Sequence, residues 1–352
     1  MQSCSLLSLA TAVPPHVAPQ GLAKDLARRA FGGKAALFER LSSVFDNAAI
    51  ATRHIVAPPE WYEQPHGWAE RNAVYLSACE KMFEEAARSA IAKAGLEPGD
   101  IDGVVSVSTT GIATPSIEAR VGPRLGLRKN VRRVPVFGLG CAGGVSGLSL
   151  AGRLAASDPG TNWLFLTVET CSISIRLDSD DPAAIVATAL FGDGAAAAVL
   201  TAGEGGLAQL KGSAETLWPD TLGIMGWRVE DPGLGVVFDR AIPPFITANL
   251  ADAVNDMCSQ LSIAREDISR FCCHPGGVKV IHAIESALDL NQGELNLERE
   301  VLKDFGNMSA PTVLFVLERL LERGLPERVL MTAFGPGFTC AGLLLEAQRE
   351  AA

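Results

Sequence analysis

Short runs of Val, Ile, Leu and Phe alternate along the chain with longer Ala-rich stretches whose apolar residues recur at helical spacing. This is the pattern of a mixed α/β protein whose strands are buried on both faces. It predicts strands at 101–109, 162–170 and 195–200, then at 268–274 and 328–337, with helices at 74–95, 245–261, 278–290 and 309–325. After the glycine-rich stretch 202–206 the alternation starts afresh, which divides the chain into halves 1–205 and 206–352. No sequence identity is visible between them. What recurs is a reactive or polar residue, Cys141 in one half and Asn307 in the other, directly before an Ala/Leu-rich helix. Two fused copies of one α/β unit, with equivalent helix starts facing a shared site, would read this way.

Composition narrows the classes. At 48% hydrophobic and 20% charged, the 352 residues can bury a large core and give no expectation of disorder. A net charge of −10 argues against nucleic acid, and the one basic cluster, Arg128, Lys129, Arg132 and Arg133, is short enough to be a solvated turn. The N-terminal apolar stretch lacks a basic start and breaks at Pro14-Pro15, and no run reaches the roughly 20 apolar residues of a spanning helix, so no membrane insertion and a cytoplasmic location are expected. Eight cysteines at irregular spacing are expected to remain thiols.

The candidate chemistry begins at "GLGCAGGVSGL", where Cys141 stands between an apolar run ending at Phe137 and a helix start. A structural cysteine has no need of that corner, whereas a nucleophile gains from the N–H groups and positive dipole end there, which would lower its pKa. "FCCHPGG" ends an apolar run on His274, and glycines after it let the backbone approach a ligand; taken alone, a histidine at a strand end is more often a satisfied structural residue. Asn307, in "FGNMSA", also reads as a helix N-cap. Together the three form a thiol-nucleophile set, with the imidazole and carboxamide donating to a developing oxyanion. The order Cys, His, Asn is shared with papain-like proteases, but no tryptophan follows the cysteine. Adjacent Cys272 and Cys273 would point to opposite faces of a strand, which disfavours a metal site, and the glycines around Cys141 are out of frame for a dinucleotide loop.

The motifs "GCAGG", "ALFGDGAAA", "HPGG", "FGNMSA" and "AFGPGFT" occur in the order found in type III polyketide synthases, and the chain resembles that chalcone and stilbene synthase family of the thiolase-fold superfamily. The resemblance implies two duplicated halves in a layered αβαβα architecture. It implies a homodimer that condenses an acyl-CoA starter with malonyl-CoA by decarboxylative Claisen chemistry, with CoA thioesters as substrates and no further cofactor. Cys141 would carry the acyl group, His274 and Asn307 would hold the enolate, and Phe191 would be a gatekeeper. Ketoacyl synthases of the third type carry "HQAN" and "GNTS" where this chain has "HPGG" and "GNMS".

Departures from plant members shape the substrate expectation. Val236 stands where those enzymes have a second gatekeeper phenylalanine, which puts a narrow aromatic gate in doubt. Asn47 replaces a lysine, leaving Arg53 as the expected CoA-phosphate contact. The stretches "IMGWRVEDPGLGVV" and "TGIATPS" resemble bacterial alkylpyrone and alkylresorcinol synthases, and Cys171 would be a small residue on the cavity wall, as in members that house long acyl chains, although a buried strand cysteine reads the same. These features favour a fatty acyl starter and an alkylpyrone or alkylresorcinol product. A single-condensation ketoacyl-CoA synthase and a catalytically silent scaffold stay open as alternatives.

Overall fold

The computed structural model describes residues 3–30, 35–175 and 181–348. The first half runs β1 (Cys4–Ala12), β2 (His16–Pro19), α1 (Gln20–Ala30), α2 (Ala35–Leu41), α3 (Ser43–Asn47), β3 (Thr52–Ile55), α4 (Trp68–Lys93), β4 (Ile101–Val107), α5 (Ile117–Leu125), β5 (Arg132–Val136), α6 (Gly143–Ser157), β6 (Asn162–Thr170), α7 (Pro182–Leu190) and β7 (Asp193–Ala202). The second runs β8 (Ala208–Leu217), β9 (Met225–Glu230), β10 (Gly233–Phe238), α8 (Ile242–Leu261), β11 (Arg270–Cys273), α9 (Val278–Ala287), α10 (Asn296–Phe305), α11 (Thr312–Glu322), β12 (Arg328–Gly335) and β13 (Thr339–Ala347).

The pairing of the strands repeats. β1 lies antiparallel to β7, β7 antiparallel to β6, and β6 parallel to β4. In the second half β8 lies antiparallel to β13, β13 antiparallel to β12, and β12 parallel to β11. The two sets are one sheet of order β11-β12-β13-β8-β1-β7-β6-β4-β5, joined at a short seam where Cys4, Ser5 and Leu6 pair with Leu210, Gln209 and Ala208. The first strands of the two halves thus hydrogen-bond to each other, so the two strand layers of the αβαβα arrangement are continuous at this seam.

Alternation along the strands sorts the helices into layers. On β6, Trp163 and Phe165 pack into the cluster of α6 and α11, while Leu164, Leu166 and Val168 join that of α4. On β12, Val329, Met331 and Ala333 face α6 and α11, and Leu330 and Phe334 face α8 and α9. The helix order is thus α4 outside, α6 with α11 between the halves of the sheet, and α8 with α9 outside. Each fully buried Leu- or Phe-sized side chain contributes about 1.5–3 kcal/mol, which makes the doubly covered sheet the main source of stability.

Small residues let the two central helices meet. A Cβ on Gly144 would lie 2.3 Å from the carbonyl oxygen of Ala310, and one on Gly147 would lie 2.5 Å from the Phe165 ring. Helix α11 starts at Thr312, three residues later than its apolar pattern suggested, because Thr312 N–H closes a turn on Ser309 O (3.1 Å) before the helix begins. The basic cluster is used locally: Arg128 pairs with Asp102, Arg132 with Asp158 (2.5 Å), and Arg133 approaches buried Glu118 (3.4 Å). Among the described residues no helix is long and apolar enough to cross a membrane.

Candidate active site

Cys141 sits in a one-turn 3-10 segment, Gly140–Ala142, that runs directly into α6. Gly140 has φ +50°, and a Cβ on it would lie 2.6 Å from the Pro336 ring, so close approach to the β12–β13 turn requires glycine. The thiol is 7% exposed, more than any of the other seven cysteines, and donates a long hydrogen bond (3.4 Å) to Ser309 Oγ.

His274 directly follows β11, where its N–H donates to Thr332 O (2.8 Å) and its carbonyl accepts from Gly276 (3.0 Å). The backbone is thereby fixed, yet both ring nitrogens are buried without a partner among the described residues. Asn307 is held at four points. Its backbone bridges the segment before β7, with N–H to Leu190 O (2.8 Å) and carbonyl to Gly192 N–H (3.0 Å). Its Nδ2 donates to Gly276 O (3.1 Å), and its Oδ1 accepts from Ser309 N–H (2.8 Å), leaving one amide hydrogen uncommitted. It is not the N-cap of α11, a position that Pro311 occupies. A chain of contacts, Cys141–Ser309–Asn307–Gly276–His274, thus brings the three expected residues to one place.

The electrostatics differ from the expectation of an acidic thiol. Burial pushes Cys141 up to about 11, opposed by the Ser309 hydrogen bond and reinforced by the charge of Glu169. Burial pulls His274 down to about 4, so the imidazole is neutral and supplies no cation to the sulfur. Desolvation outweighs the helix start, and the resting group is a thiol. Glu169 itself was not singled out in the sequence. It lies on β6 among apolar neighbours, accepts Thr109 N–H (2.9 and 3.0 Å) and the Thr110 hydroxyl (2.7 Å), and burial raises it to about 7. A lone carboxylate inside the buried run "WLFLTVET" was the available signal.

Phe191, Cys171 and Val236 come together in one buried cluster with Ala187, and Trp227 and Phe238 pack against it. The Phe191 ring lies 5.6 Å from Phe238 and 6.2 Å from Trp227, centroid to centroid. The wall is therefore aromatic in spite of Val236, because β9 and β10 pair Val236 with Trp227 and bring Phe238 alongside. Arg53 is a correction: 1% exposed, it donates to the carbonyls of Thr188, Ala189 and Phe191 and cannot meet a phosphate in solvent. Asn47 is exposed at the end of α3. Cys272 and Cys273 point to opposite faces of β11, the first into the cluster of α6 and α11 and the second into that of α8 and α9.

The chain matches the family model of the N-terminal domain of chalcone and stilbene synthases over residues 2–204, and that of the C-terminal domain over residues 209–348. A 1,3,6,8-tetrahydroxynaphthalene synthase of Streptomyces peucetius subsp. caesius is 37% identical over 356 residues, covering 97% of this chain and 92% of that protein. Type III polyketide synthase A of Arabidopsis thaliana is 31% identical over 367 residues, covering 97% and 92%. Among solved structures, the tetrahydroxynaphthalene synthase of Streptomyces coelicolor A3(2) superposes with a TM-score of 0.91 at 28% identity, over 98% of this chain and all of that one. The C-terminal type III polyketide synthase domain of Steely1 from Dictyostelium gives 0.93 at 27% identity, over 99% and 100%.

Proposed function

Because the chain belongs to the chalcone and stilbene synthase family and is a type III polyketide synthase of thiolase fold, we propose that Cys141 carries the acyl chain while His274 and Asn307 hold the enolate that extends it. The observation that supports this reading is a buried imidazole whose two nitrogens have no partner among the described residues, linked through Gly276 to a carboxamide with one hydrogen to spare. Two buried groups able to donate, linked in this way, suit a thioester oxygen that gains charge.

In this reading the starter thioester enters as its CoA derivative, and the Cys141 sulfur attacks the carbonyl as its proton leaves to the imidazole. With the thiol near 11 and the imidazole near 4, an ion pair is not populated at rest, so attack and proton transfer occur together. CoA departs as a thiol after reprotonation. Malonyl-CoA then binds with its thioester oxygen on His274 and Asn307. Loss of CO2 leaves the electron pair as an enolate, whose carbon attacks the acyl group and expels the Cys141 sulfur as a thiolate, which takes a proton from water to restore the resting thiol. Each step uses side chains, CoA thioesters and that one proton.

The finer reading is a fatty acyl-CoA starter, extended by malonyl-CoA and cyclised to an alkylpyrone or alkylresorcinol. Small Cys171 and Val236 beside Phe191 support it. The relatives named tetrahydroxynaphthalene synthases, together with Trp227 and Phe238 against Phe191, favour a second reading, a short starter and a fused-ring phenolic product. Labelled malonyl-CoA with acyl-CoAs of graded length, analysed by mass spectrometry, separates them: alkylated single rings from the longer starters support the first, and a fused-ring product independent of added starter replaces it with the second. We also read the protein as a cytoplasmic homodimer. β5 ends the sheet with an open edge, and Phe137 and Ile112, 62% and 53% exposed, lie at the ends of β5 and beyond β4, which suits a second copy there. Light scattering after size exclusion tests it.

A further inference from the structure

Arg53 is displaced from the role expected of it, and its surroundings suggest another. Its Nη1 donates to the carbonyls of Thr188 (2.8 Å) and Phe191 (3.2 Å), and its Nη2 to that of Ala189 (3.0 Å). These close the C-terminal end of α7, where carbonyls lack helical partners and a cation is favoured. The arginine is delivered there rigidly. Ala18 pairs with it from β2, Ala51 N–H donates to Lys303 O (2.7 Å), and the Thr52 hydroxyl donates to Asp304 O (2.8 Å).

Two residues beyond Phe191, Asp193 is equally fixed. Its carboxylate accepts the N–H groups of Val56 (2.8 Å) and Ser172 (2.7 Å) and the Ser172 hydroxyl, whose oxygen lies 2.6 Å from that of Tyr62. Ser172 adjoins Cys171, so one buried frame holds both the aromatic ring and the cysteine beside it. The intervening Gly192 has no slack, since a Cβ there would lie 2.3 Å from Phe305 O.

Resting on the reading of Phe191 as a gate, we propose that Arg53 is a positioning residue that fixes Phe191 from behind and thereby sets which starters pass. It touches no substrate. The Asn307 carboxamide has its own anchors on Gly276 and Ser309, while its backbone is bonded to Leu190 and Gly192 on either side of Phe191, so decarboxylation reads whether a change at Arg53 stays at the ring or reaches Asn307. Lysine would keep the charge but, with one nitrogen in place of a fork, cannot span the three carbonyls.

The test compares wild type, Arg53→Lys, Phe191→Ala and the double variant, using a short and a long acyl-CoA as starters and malonyl-CoA decarboxylation as a control. Arg53→Lys is expected to change the ratio of kcat/KM between the two starters about tenfold with decarboxylation within about threefold, and to have no further effect on the ratio once Phe191 is alanine. An unchanged ratio, or the same change in both backgrounds, overturns the proposal. So does a uniform rise in KM for every CoA thioester whose margin over wild type shrinks as salt is raised, which would return Arg53 to a phosphate. Should Arg53→Lys fail to fold, Asp193→Asn is expected to shift the ratio in the same direction but less, and no shift overturns the proposal. A wild type that condenses neither starter overturns the proposed function instead, which keeps the two failures distinct.

Discussion

The two helix starts that meet in the site are built in opposite ways. At the start of α6, Cys141 has one weak tether, a 3.4 Å contact from its thiol to Ser309. Just ahead of α11, Asn307 has both backbone groups and both ends of its side chain committed. In the proposed reaction the sulfur must approach a carbonyl carbon and later release it, whereas the carboxamide must already be in place when negative charge develops. Freedom at one position and rigidity at the other follow from those demands, since a donor that had to reorient would give back part of the stabilisation it supplies.

The most drastic way to break the contrast is to remove the sulfur. Cys141→Ala is expected to abolish acyl loading, followed by intact-protein mass spectrometry, while malonyl-CoA decarboxylation continues because His274 and Asn307 remain. Loss of decarboxylation to the same degree would place the sulfur in that step. Next, Asn307→Ala is expected to slow decarboxylation by roughly 10²–10³, or about 2.7–4 kcal/mol, the usual effect of losing one oxyanion donor. Its Tm should also fall, since Ser309 N–H and Gly276 O lose their partner, at about 1–3 kcal/mol for a buried unsatisfied group.

A smaller effect sharpens the description of the sulfur. With the thiol pushed up to about 11, alkylation of Cys141 by iodoacetamide should rise about tenfold per pH unit from 7 to 9 without a plateau. Peptide mapping should find Cys141 modified first, through access rather than acidity, as no other cysteine is more than 3% exposed. A plateau near pH 7 would mean that a thiolate–imidazolium pair forms in solution.

The smallest effect concerns the carboxylate behind the site. Burial raises Glu169 and Asp193 to about 7, so between about pH 4 and 7 the folded chain retains protons that the unfolded chain has released. Stability therefore falls as pH rises through that window and levels off above it. Glu169→Gln, which keeps an acceptor for Thr109 and Thr110, should melt near wild type at pH 5 and a few degrees higher at pH 8, by scanning fluorimetry. An equal loss at both pH values would show that the ionised form is the stabilised one.

Much of this was legible before any coordinates. β6 occupies the span read for it, 162–170, because a run of apolar and β-branched residues has one way to be buried on both faces. Cys141, His274 and Asn307 stood out because glycines and prolines bracket them, and such punctuation marks places where backbone comes close to something. What escaped were relations across the chain. Glu169 meets Thr109 and Thr110 from 60 and 59 residues away, and Trp227 faces Val236 only through a ribbon whose register is not written in its composition. Arg53 misleads for a related reason: charge predicts exposure unless enough carbonyls are waiting, and two at the end of α7 and one just beyond it are. The acidity of Cys141 was misjudged because a helix start is local information, while desolvation depends on everything packed around the sulfur.

The contact between Gly144 and the carbonyl of Ala310 also bears on how such an enzyme can change over generations. The place where the halves touch is backbone against backbone, at a distance that admits only hydrogen, so nearly every mutation of Gly144 would displace the sulfur relative to the carboxamide and be purged. Val236, Trp227 and Phe238 sit on a separate two-stranded ribbon outside the main sheet, where side-chain volume can drift without moving that contact. Inherited novelty in such a lineage is thus channelled into which molecules enter and how far they grow, while the bond-forming step stays ancestral.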